Sequence, residues 1–178
     1  MQQALKYGFS VYGTPKTGVS IIRQTYDDGY YQKGYPLSGV RFIDNGDGTI
    51  SDQATGLMWP KSGLANVVTT PATAHTTTGS YWRYTWENAL LYCERLSLAG
   101  HTDWRLPNCK ELVTIVDFSR VAPSIDITVF DDTASTVYLT GTTYFSIQTA
   151  CFQVNFNGGA LNIITKSSNY YVRPVRNI

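Results

Sequence analysis

A chain of 178 residues with fourteen basic and thirteen acidic side chains, net charge +1, fits one domain and can bury a core without staples. Its charge balance supplies no long-range field for nucleic acid or an anionic membrane, so neither is expected as a partner. Thirteen tyrosines and four tryptophans suit either a core or a contact surface made at low entropic cost. The opening MQQALKYGFSVYG has no basic start, apolar stretch or cleavage site. No apolar run reaches membrane-spanning length, and no membrane insertion is expected.

In chain order, residues 17–28 (TGVSIIRQTYDD) and 40–61 (VRFIDNGDGTISDQATGLMWPK) set β-branched and aromatic residues between glycine-rich punctuation. Asn45-Gly46 and Asp47-Gly48 are hairpin-turn dipeptides. They predict a short strand ending near Asp44, a tight turn, and a return through Ile50 toward Met58 and Trp59. Residues 62–80 (SGLANVVTTPATAHTTTGS) carry neither charge nor period and read as a surface loop or insertion.

Two helices follow. In TWENALLYCERLSLAG, Trp86, Ala89, Leu90, Cys93 and Leu96 recur at helical spacing after the N-cap residue Thr85, with Gly100 past the end. In LPNCKELVTIVDFSR, Asn108 and Glu111 form an Asn version of the capping box, and Leu112, Ile115 and Val116 make the apolar stripe. After a turn-rich stretch, three segments read as strands: TVYLTGTTY (136–144), ACFQVNF (150–156) and YYVRPVR (170–176). In the second, Phe152, Val154 and Phe156 face one way; Gln153 and Asn155 face the other, on an expected polar, solvated side. Between the last two lies NGGALNIITKSSN, where Asn162 to Thr165 neither alternate nor punctuate.

Motifs for chemistry are missing. Aligning Asp47-Gly48 with an EF-hand loop puts Ile43 and Ala54 at ligand positions, so that stretch reads as a hairpin turn. His75 and His101 have no carboxylate or cysteine at a metal spacing, and no metal is expected. Cys93, Cys109 and Cys151 show no CxxC spacing; they read as small buried side chains, with one disulfide plus a spare as the alternative. Nucleophile elbow, phosphate loop and helix-borne Glu pair are all absent. Asp103, Asp117, Asp126, Asp131 and Asp132 read as solvated carboxylates or caps. The expectation is a protein that is not an enzyme and uses no cofactor.

RFIDNGDGTISDQATGLMWPK, then TWENALLYCERLSLAGHTDWRLPNCKELVTIVDFSR, then YYVRPVR resemble, in order and spacing, the family of the C-terminal domain of a collagen-like adhesin, the Lcl-C family. DWRLPN with the closing YVRPVR is also similar to the formylglycine-generating-enzyme type of C-type lectin fold. The resemblance implies an α+β, C-type lectin-like domain over 1–178, two helices packed on twisted antiparallel sheets with the N- and C-terminal strands adjacent. Residues 1–37 would be an N-terminal extension, 62–80 the loop or insertion, and 138–178 a candidate variable ligand-binding region. Trp104, Leu106 and Pro107 would be a buried strand, Arg105 would be held by a carboxylate or carbonyls, and Arg173 and Arg176 would pair structurally. The sugar- and calcium-binding motifs of true C-type lectins are absent, and fold does not give function.

A subset of such folds resembles variable proteins of diversity-generating retroelements, whose C-terminal region is rewritten at adenines while the scaffold stays fixed. Phe145, Ser146, Ile147, Thr149, Asn155, Asn157, Ala160, Asn162, Ile163, Ile164, Thr165, Ser168 and Asn169 are reachable from Asn codons and form the candidate ligand-binding set. Gln148 and Gln153 are not reachable, and Gly159 and Leu161 read as framework. The implied function is a diversified binding surface for a protein or glycan ligand. The alternative is a fixed-specificity adhesin for glycans or sulfated polysaccharide. The implied location is extracellular, on a cell or virion surface. Two consecutive β-branched residues in a strand point to opposite faces, so Ile163 or Ile164 is expected to be exposed.

Overall fold

The computed structural model describes residues 13–36, 41–62, 76–78 and 81–178. The chain is a mixed α+β protein. Its first sheet is built from β1 (Phe42–Asp44), β2 (Thr49–Asp52), β3 (Leu57–Pro60) and the closing β9 (Arg176–Asn177), in the order β1-β2-β3-β9 with every pair antiparallel. The turn between β1 and β2 is the predicted one. The Asp44 and Asp47 carboxylates accept from the N–H groups of Gly46 and Thr49, and both turn glycines have positive φ. The expected single return strand is two strands, because a turn at residues 53–56 reverses the chain after Asp52.

β4 (Thr76–Thr78) and β5 (Tyr81–Arg83) form a two-stranded ribbon, so part of the expected 62–80 loop is a strand; residues 63–75 and 79–80 lie outside the described residues, as do 1–12 of the expected N-terminal extension. Helix α1 (Asp28–Tyr31) is one turn capped by Asp27, an element the sequence reading did not foresee. Helix α2 (Trp86–Glu94) fits the expected stripe but ends before Gly100. Residues 98–101 instead form a tight turn with reciprocal bonds between Leu98 and His101.

Helix α3 (Cys109–Val113) starts on the foreseen capping box, with both reciprocal bonds made. It is much shorter than the apolar stripe suggested. Val113, Thr114, Ile115 and Val116 are consecutive β-branched residues, which crowd a helix. The Thr114 hydroxyl donates to the Glu111 carbonyl, and the Val116 N–H donates to the Val113 carbonyl, tightening the chain out of the α-helical ladder.

The second sheet runs β6 (Val137–Thr143), β7 (Ala150–Asn155), β8 (Ala160–Thr165) in that order. Side chains alternate across it. Leu139 and Cys151 pack with Ala89, Tyr92 and Cys93 of α2 and with Trp104 and Leu106. Tyr138, Val154 and Phe156 pack on the other side with Leu112, Ile115, Ile50, Trp59 and Val175. Thus β7 is buried on both faces. Gln153 is only 4% exposed, which corrects the expectation of a solvated polar face there: an interior strand with cores on both sides has no solvated side.

Charged side chains, some of them buried, tie the layers together. Arg41 and Asp52 are fully buried and meet bidentately at 2.8 and 2.7 Å, and Arg41 also donates to the Thr114 carbonyl at the end of α3. Arg173 donates to the Pro60 carbonyl and to the Thr133 hydroxyl. Arg105 is held bidentately by Glu111, and Arg176 by Asp103. The expected 170–176 strand is interrupted: Tyr170, Tyr171 and Val175 make single bridges to Tyr84, Tyr138 and Arg105. Pro174 supplies no N–H to continue the ladder.

Candidate ligand-binding surface

Residues 162–165 show no period in the sequence. They are the second half of β8, a regular strand paired residue by residue with β7 from Ala150–Thr165 to Asn155–Ala160. Their lack of apparent period has a physical cause. β8 is the outer strand, and five of its six residues are exposed, Ile164 being the half-buried exception. A strand wet on both faces is under no pressure to alternate.

Alternation nonetheless fixes which residues share a face. Leu161, Ile163 and Thr165 lie beside Val154, Phe152 and Ala150; Ala160, Asn162 and Ile164 lie beside Asn155, Gln153 and Cys151. Ile163 is 43% exposed while Ile164 packs against the core next to Cys151. The expectation of one exposed isoleucine therefore holds. Leu161, read as framework, is 45% exposed. Its parity with Ile163 was the signal that could have placed it on the surface.

The turn between β6 and β7 brings up a second group. The Tyr144 carbonyl accepts from the Ile147 N–H and the Tyr144 N–H donates to the Ala150 carbonyl, and Gln148 donates its side-chain amide to the Phe145 carbonyl, closing the turn. Phe145 projects at 89% exposure, with Ser146, Ile147 and Thr149 also exposed. Ile147 and Thr149 meet Ile163, Ile164 and Thr165 around a shallow depression of 210 Å³. Five of the thirteen candidate residues thus share one concavity.

Others sit at the far end of the sheet. Asn155 and Asn157 frame the β7–β8 turn: the Asn155 side-chain oxygen accepts from the Asn157 N–H, and the Asn157 side-chain oxygen accepts from Ser135. Gly159 closes this turn at φ 78°, where an added Cβ would lie 2.8 Å from Val116 and 3.0 Å from Phe118, so glycine is required. Ala160 is exposed beside it, and Ser168 and Asn169 follow β8 in the connection to Tyr170. With roughly 3.4 Å of rise per residue the two ends of β8 stand about 17 Å apart, so the thirteen positions form a strip and not one pocket.

Beyond Thr165 lies a larger concavity of 490 Å³ lined by Trp86, Glu87, Gln148, Thr149, Lys166 and Ser167 among others. Lys166 is clamped there. Its ammonium sits 3.8 Å over the Trp86 ring and donates to the Thr143 hydroxyl at 2.8 Å, while the Trp86 indole donates to the Thr140 carbonyl. At the Leu161 end, residues 14–17 meet Cys109, Val113, Val116 and Phe118 around an apolar concavity of 520 Å³. Sequence reading found neither, because both join distant segments. Beneath the surface, burial pushes the Cys151 thiol up to about 11 despite the nearby Lys166 ammonium, and raises the Cys93 thiol as well.

No helix among the described residues is long and apolar enough to cross a membrane. No curated protein matches the chain. Residues 48–176, from the β1–β2 turn to the first residue of β9, match the model of the Lcl C-terminal domain, and the chain belongs to that family.

Proposed function

We propose that the chain is an adhesin-like, ligand-binding domain whose C-terminal strip, β8 with the turns on either side, is a diversified binding surface on a C-type lectin-like scaffold. Binding without turnover is part of this reading, and so is a location on a cell or virion surface. The observation that carries it is the contrast between neighbouring strands. β7 is buried on both faces, whereas β8, hydrogen-bonded along its whole length to β7, is exposed at five of six positions.

Such a strip changes side chains without touching the core. The rigid neighbour lowers the ordering cost of binding. Phe145, Ile147, Leu161 and Ile163 supply apolar area, and Ser146, Thr149, Asn162 and Thr165 supply adaptable hydrogen bonds, the mixture of an antibody paratope. The two glutamines outside the candidate set have scaffold roles: Gln148 closes its turn and Gln153 lies in the interior.

The neighbouring DNA tests this reading. A reverse transcriptase beside a near-copy of the 3′ end, differing only at adenines in the codons of the thirteen candidate positions, is expected. A 3′ end with no such copy sinks the diversification and leaves the fixed-specificity adhesin, which family membership also favours. For that adhesin a sulfated polysaccharide is a poor fit to the tail: Arg173 is buried and Arg176 is paired with Asp103. Release from a heparin column at low salt is the expected result.

A further inference from the structure

Among the described residues β8 is an open sheet edge. In an antiparallel pair, alternate residues turn both backbone groups toward the partner. The Lys166 N–H donates to the Thr149 carbonyl, and the register continues by twos, so Ile164, Asn162 and Ala160 face β7. The N–H and C=O groups of Leu161, Ile163 and Thr165 therefore point outward. Among the described residues no backbone hydrogen bond reaches that side. The usual defences of an edge are a lysine, a proline, a bulge or a covering segment. β8 reads ALNIIT, its pairing with β7 is unbroken, and it has none of the first three. The far side of β6, by contrast, is occupied, with Leu139 donating to the Tyr171 carbonyl, Tyr171 to the Val137 carbonyl and Gly141 to the Pro107 carbonyl.

We propose that the ligand of this surface is an extended segment of a protein partner that adds to the sheet as a fourth strand along β8. The proposal rests on the reading of this strip as the binding surface and names the class of partner. Two observations select an extended peptide. First, concavities follow one another along the strand, of 520 Å³ at Leu161, 210 Å³ at Ile163 to Thr165, and 490 Å³ at Thr165 to Ser167. An added strand presents side chains to successive sites of this kind, while a compact ligand fills one. Second, β8 carries no charge from Ala160 to Thr165, whereas the last concavity holds both Lys166 and Glu87. The matching segment is uncharged and apolar at alternate positions, with a polar residue at the Lys166 end.

A second copy of β8 fits less well. Two-fold pairing centred on Ile163 sets Leu161 against Thr165 of the other copy, but brings Ala160 and Gly159, with little or no side chain, opposite Lys166 and Ser167. The 490 Å³ concavity would then stay unfilled. In the proposed arrangement the backbone ladder supplies affinity that no substitution except proline removes, and the side chains on β8 set which segment is accepted.

The test uses a displayed library of random dodecapeptides, selected on the full chain, and the best peptide made synthetically. Ile163→Pro removes one outward N–H and leaves the β7 ladder intact, since Ile163 does not donate to β7. Its melting temperature is expected to stay close to the parent's while peptide affinity falls at least tenfold. N-methylation along the peptide is expected to weaken binding at every second residue, and hydrogen exchange at Leu161 and Ile163 is expected to slow on binding. Binding unaffected by Ile163→Pro overturns the proposal, as does a library yielding no peptide that protects those amides. A parent chain that sediments as a dimer, dissociated by Ile163→Pro, also overturns it by giving the edge to a second copy. The side-chain variants Ile163→Thr and Leu161→Ala separate the two readings. If they change which peptides bind while Ile163→Pro does nothing, the binding strip stands and the added strand falls. If only Ile163→Pro matters, the added strand stands and the diversified-surface reading falls.

Discussion

Asp52 shows how much one side chain can hold in place. Its carboxylate accepts from Arg41 twice, from the Ala54 N–H and from the Thr55 hydroxyl, while Arg41 reaches on to α3. Removing one member of a buried pair leaves the other charge unmatched and costs about 3–5 kcal/mol. Asp52→Ala is therefore expected to lose that much in chemical denaturation, and a loss near zero would show that water reaches Arg41. The cysteines make a second residue-scale prediction. A thiol raised to about 11 stays protonated at neutral pH, and only the thiolate reacts. Iodoacetamide is expected to label half-buried Cys109 in the native protein and to reach Cys93 and Cys151 only after unfolding, which peptide mass spectrometry reads directly. At this scale the sequence was informative about partners for Arg105 and misleading about Gln153. A polar residue in an alternating strand looks solvated until a second core is known to lie behind it.

Elements were legible where local chemistry decides them. The capping box of α3 and the Asn-Gly-Asp-Gly turn are short-range arrangements, and both are present as read. β8 was missed because its signal is a partner strand and an open side, neither of which leaves a period. The end of α3 depends on four β-branched residues that still fit a helical stripe, so periodicity overran the true boundary. The capping box also gives a pH dependence. Burial opposes ionisation of Glu111, but the Arg105 guanidinium and the Asn108 N–H outweigh it and hold the carboxyl below its usual value. A depressed folded value means that the stabilisation is present above the unfolded pKa and is lost as pH falls through the folded one. Glu111→Gln is thus expected to lower the melting temperature at pH 7 and to flatten its fall between about pH 5 and pH 3. An unchanged acid limb would remove Glu111 from the account.

For the molecule as a whole, the arrangement separates what folds it from the candidate strip that it exposes. Core clusters on both sides of the second sheet hold β7, the first sheet and both larger helices, while the candidate strip, Ile164 apart, lies outside them. Family, mixed α+β class and the joining of β9 to the first sheet followed from long ordered motifs. The gathering of the candidate strip did not, because its five converging residues come from the β6–β7 turn and from β8, brought together only by the β6–β7–β8 register. Substituting Phe145, Ile147, Asn162 and Ile163 together by serine is expected to cost no more than about 2 kcal/mol, at roughly 0.5 kcal/mol for each exposed site. Leu139→Ala alone should cost about 2–5 kcal/mol by opening a cavity in a fully buried site. Equal losses in the two variants would mean that the strip is part of the folding core.

The open side of β8 also bears on colloidal behaviour. An uncharged, β-branched border on a protein of net charge +1 meets little electrostatic repulsion between molecules at neutral pH. Concentrated samples without ligand are expected to scatter light increasingly with time, and Ile163→Lys, which places a cation on the bare border, to keep them clear. A domain that leaves such a border exposed gives up some solubility for as long as it has no ligand, and whatever covers the border restores it.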